Sequence, residues 1–577
     1  MRENMQVTSF EFLIFFLAVA VVNFLLPKKF RMYWLLASSY YFYMRLAPVY
    51  ALFLVFSTIV TYAAGIFIEK NSDAKAGAAC KNSTVSGIKS ITLTAGTACK
   101  GSSVDGTRQN KSTSGAAGNN SSVDGTRQNK STSDAAGNGS SVDGTGQNKS
   151  TSGAACNGSA ALSSRRLILI LCLVINLALL AVCKYSVSVV SIFPNSQAFI
   201  DSTLSRLIVP VGISFYMLQA LGYVIDVYRG TIAAERNLAR YALFVSFFPE
   251  IMSGPIERAG HMLPQFAAPE SFDYENMRHG LLRMIWGFFL KLVLADRMAI
   301  VVNTVYSSPA DHTGGVVVLA TILYTFEIYC DFAGYSEIAI GTAQVLGYEV
   351  RENFDCPYLS SSIADFWRRW HQSLSYWFRD YVYIPLGGNR RGQARKYLNI
   401  MIVFIVSGIW HGAGITFIVW GALHGLYQVI GHMLQPVRSA LVRVFHVKTS
   451  AFSHRFLRVL VTFCLVSFAW IFFRADSLGM AAEIIRNMRG FTPWELLDGT
   501  LYKLGLSAAS FNLMVAGLLL LILVDILKFR GVRISDVICR QGLWLRWTIY
   551  IAAIALILVC GIWGSGYSAS NFIYYQF

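Results

Sequence analysis

Long apolar runs recur along almost the whole chain and predict a protein built from membrane helices. A spanning α-helix needs about 20 consecutive apolar residues, so the shorter runs indicate re-entrant, tilted or interfacial helices. The pattern predicts an all-α polytopic membrane protein with roughly eleven to thirteen membrane helices. The runs are Phe10–Leu26, Met32–Tyr50, Ala51–Ile68, Leu167–Tyr185, Leu207–Tyr228, Tyr241–Met252, Leu281–Leu294, Gly315–Tyr329, Ile338–Leu346, Leu398–Leu434, Phe456–Phe473, Phe511–Leu527 and Trp547–Trp563.

The segment of residues 71–164 departs from this pattern. It is rich in Ser, Gly, Thr, Asn and Ala, and a 19-residue unit beginning SSVDGT starts at Ser102, Ser121 and Ser140. Each unit contains one Val and no larger apolar residue, whereas stacked repeats need an apolar face. We therefore predict a disordered insertion. It separates N-terminal membrane helices, residues 1–70, from a larger membrane domain, residues 165–577.

Composition and charge agree with a multi-pass protein of the cell membrane. Hydrophobic residues make up 54% of the chain and charged residues 14%, whereas soluble proteins carry about 25% charged residues. The net charge of +17 comes largely from short basic loops, as the positive-inside rule predicts. No basic and aromatic module of the nucleic-acid-binding type occurs, so we expect no nucleic-acid partner. The loops place the insertion in the cytoplasm.

His411 is the most informative single residue. It lies in the apolar run Leu398–Gly421, where a titratable side chain is costly to keep. Trp410, Gly412 and Gly414 surround it in the sequence, and glycines allow a backbone or a ligand to approach closely. A histidine satisfied by a backbone carbonyl or a hydroxyl is the structural alternative. We interpret the segment as the reactive centre of a membrane enzyme.

A second histidine, His371, lies in the aromatic segment 361–383, SSIADFWRRWHQSLSYWFRDYVY. Its apolar and aromatic residues recur at helical spacing, with Arg368, Arg369 and Arg379 largely opposite. This predicts an interfacial amphipathic helix whose tryptophans lie in the aromatic belt of the membrane. His371 is at the border of the apolar stripe. A helical hairpin across residues 383–400 would bring it toward the cavity of His411.

Metal binding is the main chemical alternative for these histidines. The candidate ligands are His371, His411, His424 and His432, but their spacing matches no familiar zinc pattern. The ten cysteines form no CxxC pair, so neither a zinc knuckle nor a disulfide framework is expected. We predict no metal. Walker and nucleophile-elbow motifs do not stand out, which argues against an NTP-driven pump.

Two carboxylates, Asp331 and Glu337, lie in the apolar stretch CDFAGYSEIAIG. They are candidates for a supporting catalytic role. A buried polar latch between helices, with Arg or His as the partner, is at least as good an explanation.

Several stretches together resemble the membrane-bound O-acyltransferase (MBOAT) family, in the bacterial branch of the alginate O-acetyltransferases. The similarity extends over residues 208–476. It is carried by VPVGISFYMLQALGYVIDVYRG (209–230), FFPEIMSGPIERA (247–259), CDFAGYSEIAIG (330–341), ENFDCPYLSSSIADFWRRWHQSLSYWFRDYVYIPLGGNRRG (352–392) and SGIWHGAGITFIVWGALHG (407–425).

The resemblance implies a fold, a site and a reaction. The fold would be a ring of membrane helices around a funnel, with residues 165–577 as the catalytic domain. His411 of the Trp-His-Gly motif would be the catalytic residue and His371 the second active-site position. His424, Trp410 and Asp331 would be supporting residues.

The implied donor is acetyl-CoA on the cytoplasmic side, with no tightly bound cofactor. The implied acceptor is an extracytoplasmic polysaccharide such as alginate, reached through an SGNH-like partner with a Ser-His-Asp-type site. D-alanyl transfer to teichoic acid is the alternative within the class. A transporter or flippase is the alternative from another class.

Overall fold

The computed structural model describes residues 5–46, 48–83, 156–190, 212–490, 493–496 and 498–563. The chain divides into two compact units, one of residues 1–73 and 162–577 and one of residues 74–161. Most of the predicted insertion lies outside the described residues, so its disorder stays a prediction. Its two ends differ from the prediction, because helices continue to Ser83 and begin at Cys156.

The described residues fold into α-helices joined by short loops, which confirms the all-α class for this part of the chain. Two π-helical turns, Phe289–Ala295 and Arg379–Tyr383, each continue an α-helix. The α-helices are α1 (Phe10–Leu25), α2 (Lys28–Leu46), α3 (Ala51–Ser83), α4 (Cys156–Val190), α5 (Ile213–Arg229), α6 (Leu238–Ser246), α7 (Ala259–Ala267), α8 (Tyr274–Phe288), α9 (Asp296–Ser307), α10 (Gly315–Val345), α11 (Ile363–Arg369), α12 (Gln372–Phe378), α13 (Gln393–His411), α14 (Ile415–Met433), α15 (Gln435–Val444), α16 (Phe452–Arg474), α17 (Leu478–Asn487), α18 (Ala508–Phe529), α19 (Ile534–Cys539) and α20 (Leu543–Cys560).

Fewer helices are long and apolar enough to cross a membrane than the sequence predicted. Within the described ranges there are 6, or up to 7 if the bent pair of α14 and α15 counts as one span. The predicted count of eleven to thirteen included apolar runs that are shorter than the roughly 20 residues a spanning helix needs. Several runs instead form short helices inside the protein. An example is the run Tyr241–Met252. Its first six residues form the end of the 9-residue helix α6, and the run is buried.

Helices α8 and α10 pack backbone to backbone at the centre of the larger unit. Gly280 faces Gly341, and Gly287 faces Gly334, across this contact. A Cβ atom added at Gly341 would lie 2.5 Å from the carbonyl oxygen of Gly280. Small residues are what allow membrane helices to approach this closely. The contact fixes the position of α10, whose Phe332 packs against His371.

Helices α13 and α14 form a hairpin that carries the Trp-His-Gly motif at its turn. Helix α13 ends at His411, and residues Gly412–Gly414 connect it to α14. The two helices also pack closely, because a Cβ atom at Gly408 would lie 2.3 Å from the carbonyl oxygen of Phe417. The hairpin therefore places His411 at its tip, away from the basic loop that precedes α13.

The predicted amphipathic helix of residues 361–383 is not continuous. Helix α11 ends at Arg369 and α12 begins at Gln372, with His371 between them at a backbone φ of +42°. The apolar stripe is buried in protein, and Trp370 is only 1% exposed. Trp370 packs against Trp470 and Phe366. Hydrophobic spacing alone did not distinguish a protein-facing stripe from a lipid-facing one.

Stability outside the membrane spans should depend on pH through His261. Its Nδ1 lies 3.0 Å from Oε2 of the buried Glu257, and this hydrogen bond raises the pKa of His261. A raised folded-state pKa adds stability that is fully present below the unfolded value of about 6.5 and is lost as the pH rises through the folded value. We expect His261→Gln to lower the melting temperature in mildly acidic detergent buffer and to have a smaller effect at alkaline pH. A difference that does not change with pH would contradict this assignment.

Candidate active site

His411 is enclosed by aromatic rings at the hairpin tip. It is 4% exposed, and its ring centroid lies 4.8 Å from that of Trp410 and 5.0 Å from that of Trp420. Phe473 of helix α16 is a third neighbour, at 5.3 Å. Such surroundings exclude bulk water, which strengthens any electrostatic interaction made by the ring.

His371 is held by a polar network that defines its tautomer. Its Nδ1 lies 2.9 Å from Oδ1 of Asn353, and the Asn353 amide group donates through Nδ2 to Ser336 Oγ at 3.0 Å. Ser373 Oγ also donates to Asn353 Oδ1, at 3.0 Å. Because the amide oxygen is an acceptor, the His371 proton lies on Nδ1 and the lone pair on Nε2. His371 is therefore oriented to accept a proton or a hydrogen bond through Nε2.

The backbone of His371 is strained in a way that is common at functional sites. A non-glycine residue in the left-handed region costs about 1–3 kcal/mol. The surrounding contacts hold it there, since His371 is fully buried and Gln372 N donates to Asn353 O at 2.9 Å. The left-handed backbone of His371 interrupts the helix between α11 and α12.

The structure brings His371 and His411 to the same aromatic ring, Trp410. The centroid of His371 is 6.4 Å from that of Trp410, and His411 is 4.8 Å from it. The hairpin predicted from the sequence thus places both imidazoles in one neighbourhood. Trp410 is 7% exposed and forms the shared wall.

His424 lies one aromatic layer away from His411. The Trp420 ring separates them, with centroid distances of 5.0 Å to His411 and 5.2 Å to His424. The indole Nε1 of Trp367 donates to His424 Nδ1 at 3.2 Å. Because an indole only donates, the neutral His424 ring carries its proton on Nε2. His424 supports the aromatic wall behind His411 and does not contact His411 through a hydrogen bond among the described residues.

Asp331 belongs to a different cluster from the histidines. Its Oδ1 is 2.7 Å from Nζ of Lys291, which also lies 2.8 Å from Oδ1 of Asp296. All three side chains are buried. Glu337, the other carboxylate of the motif, pairs with Arg283 at 2.7 Å. These contacts match the second interpretation from the sequence, in which the two carboxylates form buried polar contacts between helices. Their partners are Lys291 and Arg283.

Two contributors to the site were missed by the sequence analysis. Asn353 lies in the quoted motif ENFDCPYL, but nothing in its local pattern shows that it meets His371. Lys184 of helix α4 donates to the backbone carbonyl of Trp410, and it lies far from the motif in sequence. A lysine within the apolar run Leu167–Tyr185 was the signal available.

A cavity of about 260 Å³ extends along one face of helix α13. The lining residues of α13 are Lys396, Ile400, Val403, Phe404 and Ser407. They recur every three or four residues, so they share one helix face. His411 is the next residue on the same face, one turn beyond Ser407.

The mouth of this cavity is basic and its walls are apolar. Arg379, Lys396 and His432 line it together with Phe378 and Trp367. Arg229 at the end of α5 donates to the backbone of Asp380, next to Arg379. Arg165 of α4 donates to Tyr228 O in the same region. The mouth therefore lies at the end of the larger unit that contains the basic loops predicted to be cytoplasmic.

No group of three or more side chains suited to a metal ion occurs among the described residues. His371, His411, His424 and His432 are spread over the aromatic layer and the cavity mouth. Near Trp410 the structure places two imidazoles, those of His371 and His411. A neutral imidazole in a dry cavity can take a proton from a hydroxyl and return it to a leaving group.

The amino-acid sequence was also compared with protein families and with known proteins. A model of the membrane-bound O-acyltransferase family matches residues 234–475. This range contains His371, His411, His424 and the described cavity.

Three named proteins are similar over longer stretches. The probable alginate O-acetylase AlgI of Pseudomonas putida is 35% identical over 416 residues, which cover 70% of this chain and 83% of that protein. The protein of the same name from Pseudomonas syringae pv. tomato is 36% identical over 333 residues, covering 57% and 62%. The peptidoglycan O-acetyltransferase of Helicobacter pylori is 35% identical over 352 residues, covering 56% and 65%. The chain thus spans less than two thirds of the length of the latter two.

Proposed function

This chain belongs to the membrane-bound O-acyltransferase family, and we propose that it moves an acetyl group from a cytoplasmic thioester toward an extracytoplasmic polysaccharide. The observation that carries the proposal is the position of His411. It is buried at the tip of a hairpin, beside an oriented His371, and at the end of the helix face that lines a basic-mouthed cavity. The names of the similar proteins support acetyl as the group and a polysaccharide as the acceptor class.

In the proposed reaction His411 is the general base. Its imidazole takes the proton of the acceptor hydroxyl as the oxygen attacks the thioester carbonyl carbon. The carbon–sulfur bond then breaks, the thiolate takes the proton back from His411, and an ester and a free thiol are the products. His371 Nε2 accepts a hydrogen bond from another O–H or N–H group of the acceptor and so orients it for attack, because the reacting hydroxyl gives its one proton to His411. No metal is needed for any of these proton transfers.

The cavity along α13 is the proposed route of the donor. A phosphate-bearing thioester such as acetyl-CoA has charged groups at one end and an apolar arm leading to the acetyl group. The charged end matches Arg379 and Lys396, and the arm matches Ile400, Val403 and Phe404. Fifteen residues of helix separate Lys396 from His411, which is about 22 Å along the axis. A long donor arm is therefore required.

Removing the cations at the mouth should weaken donor binding without affecting the chemical step. We expect Lys396→Gln and Arg379→Gln each to raise the apparent KM for acetyl-CoA about tenfold, because each loses one charge-assisted phosphate contact. The kcat should stay within about twofold, since neither group reaches His411. The measurement is acetyl transfer in inverted membrane vesicles. Lys448→Gln, at an exposed position outside the cavity, is the matched control.

An unchanged KM in both cavity variants would exclude this route for the donor. An equal effect of Lys448→Gln would show that general surface charge, and not the cavity mouth, attracts the donor.

The remaining parts of the proposal concern location and partners. We propose that the protein resides in the inner membrane, because the donor is cytoplasmic and the polymer is exported. The acetyl group is then passed on by an SGNH-like partner, whose serine site completes esterification of the polysaccharide. Six helices that can span a bilayer among the described residues are consistent with a multi-pass membrane location.

The direct test of the function compares donors in inverted vesicles from expressing cells. Acetyl-CoA labelled in the acetyl group should give hydroxylamine-releasable label in the glycan or protein fraction. A D-alanyl-charged carrier protein should give none. The reverse result would favour D-alanyl transfer to teichoic acid, and label transported without any ester would favour a transporter.

A further inference from the structure

The end of helix α13, where His411 lies, has carbonyl groups that the helix itself does not satisfy. Gly412 N donates to Gly408 O at 3.2 Å, which closes the last helical turn. The carbonyls of Ile409 and Trp410 lie one and two residues farther on, and no helical N–H follows them in register. Because these groups lie in an apolar setting, they need donors from elsewhere.

Helix α4 supplies both donors from consecutive residues. The Lys184 ammonium donates to the carbonyl oxygen of Trp410, and the Tyr185 hydroxyl donates to that of Ile409. Lys184 Nζ also lies 5.6 Å from the centroid of the Trp410 ring, within range of a cation–π contact. A cation at a helix C-terminus is favourable because of the negative end of the helix dipole.

The same lysine contacts the residue that immediately precedes His411 in the chain. The uncharged rings of Trp410, Trp420 and Phe473 pack around the His411 imidazole.

We propose that Lys184 and Tyr185 form a clamp on the carbonyls of Trp410 and Ile409, and that this clamp holds His411 in position for proton transfer. They are positioning residues, since they act on the backbone of the catalytic segment. The inference rests on the proposed function of His411. It also means that α4, the helix that follows the repeat insertion, is part of the catalytic apparatus.

Kinetics of clamp variants in inverted vesicles test the proposal. Lys184→Met should lower kcat by about tenfold to a hundredfold, because small displacements of a catalytic group have effects of this size. The KM for acetyl-CoA should stay within about twofold. Lys184→Arg keeps a cation and a donor and should restore most of the rate, while Tyr185→Phe should give a smaller loss. Arg166→Met removes an exposed cation at the far end of the same helix, and should keep the wild-type kcat.

A second measurement does not depend on activity. Backbone hydrogen exchange of residues 409–414 in purified protein should increase in Lys184→Met and not in Arg166→Met. A wild-type kcat in Lys184→Met, a failure of Lys184→Arg to restore the rate, or a rise in KM alone would overturn the clamp. Unchanged exchange at residues 409–414 would overturn it as well. If the wild-type protein transfers no acetyl group, the proposed function fails, and exchange alone then decides the clamp.

Discussion

Replacing His411 with alanine should abolish acetyl transfer while the protein still reaches the membrane in normal amount. The imidazole is the proposed base, and loss of a general base typically costs a factor of about 10²–10⁴ in rate. Folding should survive, because the ring makes aromatic contacts at a hairpin tip and α13 and α14 pack through Gly408 and the backbone of Phe417. The measurement is the O-acetyl content of the exported polymer, with the membrane level of the protein determined in parallel.

A matched histidine variant controls for this result. His446 is exposed after helix α15 and has a left-handed backbone with φ of +49°. Asparagine tolerates that conformation, so His446→Asn should leave acetylation unchanged. Retained polymer acetylation in His411→Ala would refute the assignment of the base. Loss of the protein from the membrane would instead point to a structural role for the ring.

Replacing Lys291 with methionine should prevent stable folding of the larger unit. Lys291 Nζ contacts Asp296 Oδ1 at 2.8 Å and Asp331 Oδ1 at 2.7 Å, and the three side chains are at most 4% exposed. Removing the cation leaves two carboxylates buried near each other, which typically costs about 3–5 kcal/mol. We expect little folded protein on size-exclusion chromatography in mild detergent and a lower melting temperature in what remains.

A charge-neutral triple variant separates this effect from a loss of chemistry. Lys291→Met combined with Asp296→Asn and Asp331→Asn leaves no charge unpaired in the cluster, so folding should largely return. The folded triple variant should also transfer acetyl groups, because Asp331 pairs with Lys291 in the buried cluster. Normal folding of Lys291→Met alone would mean that the cluster does not stabilise the protein. A triple variant that folds but is inactive would indicate that Asp331 has a role in catalysis.

The fold class followed from the sequence because hydropathy reports burial away from water directly. The number of membrane-spanning helices could not be predicted in the same way. An apolar run has the same composition whether it packs against lipid or against protein. Residues 241–252 illustrate this, because they form a short buried helix and an irregular segment in place of a span. The same ambiguity made Trp370 look like a membrane-interface residue, although it packs against Trp470 inside the protein.

The sequence indicated that His371 and His411 would lie near each other, but it did not indicate which groups support them. His411 and His371 stand out because an imidazole among apolar residues is unusual, and the hairpin between them does bring them to Trp410. The left-handed turn at His371 has no signal in the local pattern, which reads as one continuous helix. Asn353 and Lys184 reach the site through contacts made across long stretches of chain, and a single sequence contains no record of such pairings.

Ester formation in inverted vesicles from cells that express either the wild-type protein or His411→Ala tests the central claim most directly. Acetyl-CoA labelled in the acetyl group is added to the exposed cytoplasmic face, and hydroxylamine-releasable label is counted in the glycan and protein fractions. The account predicts releasable label with the wild-type protein and background with the variant at an equal membrane level. Equal ester label in both, or label that enters the vesicles without becoming an ester in either, would contradict it.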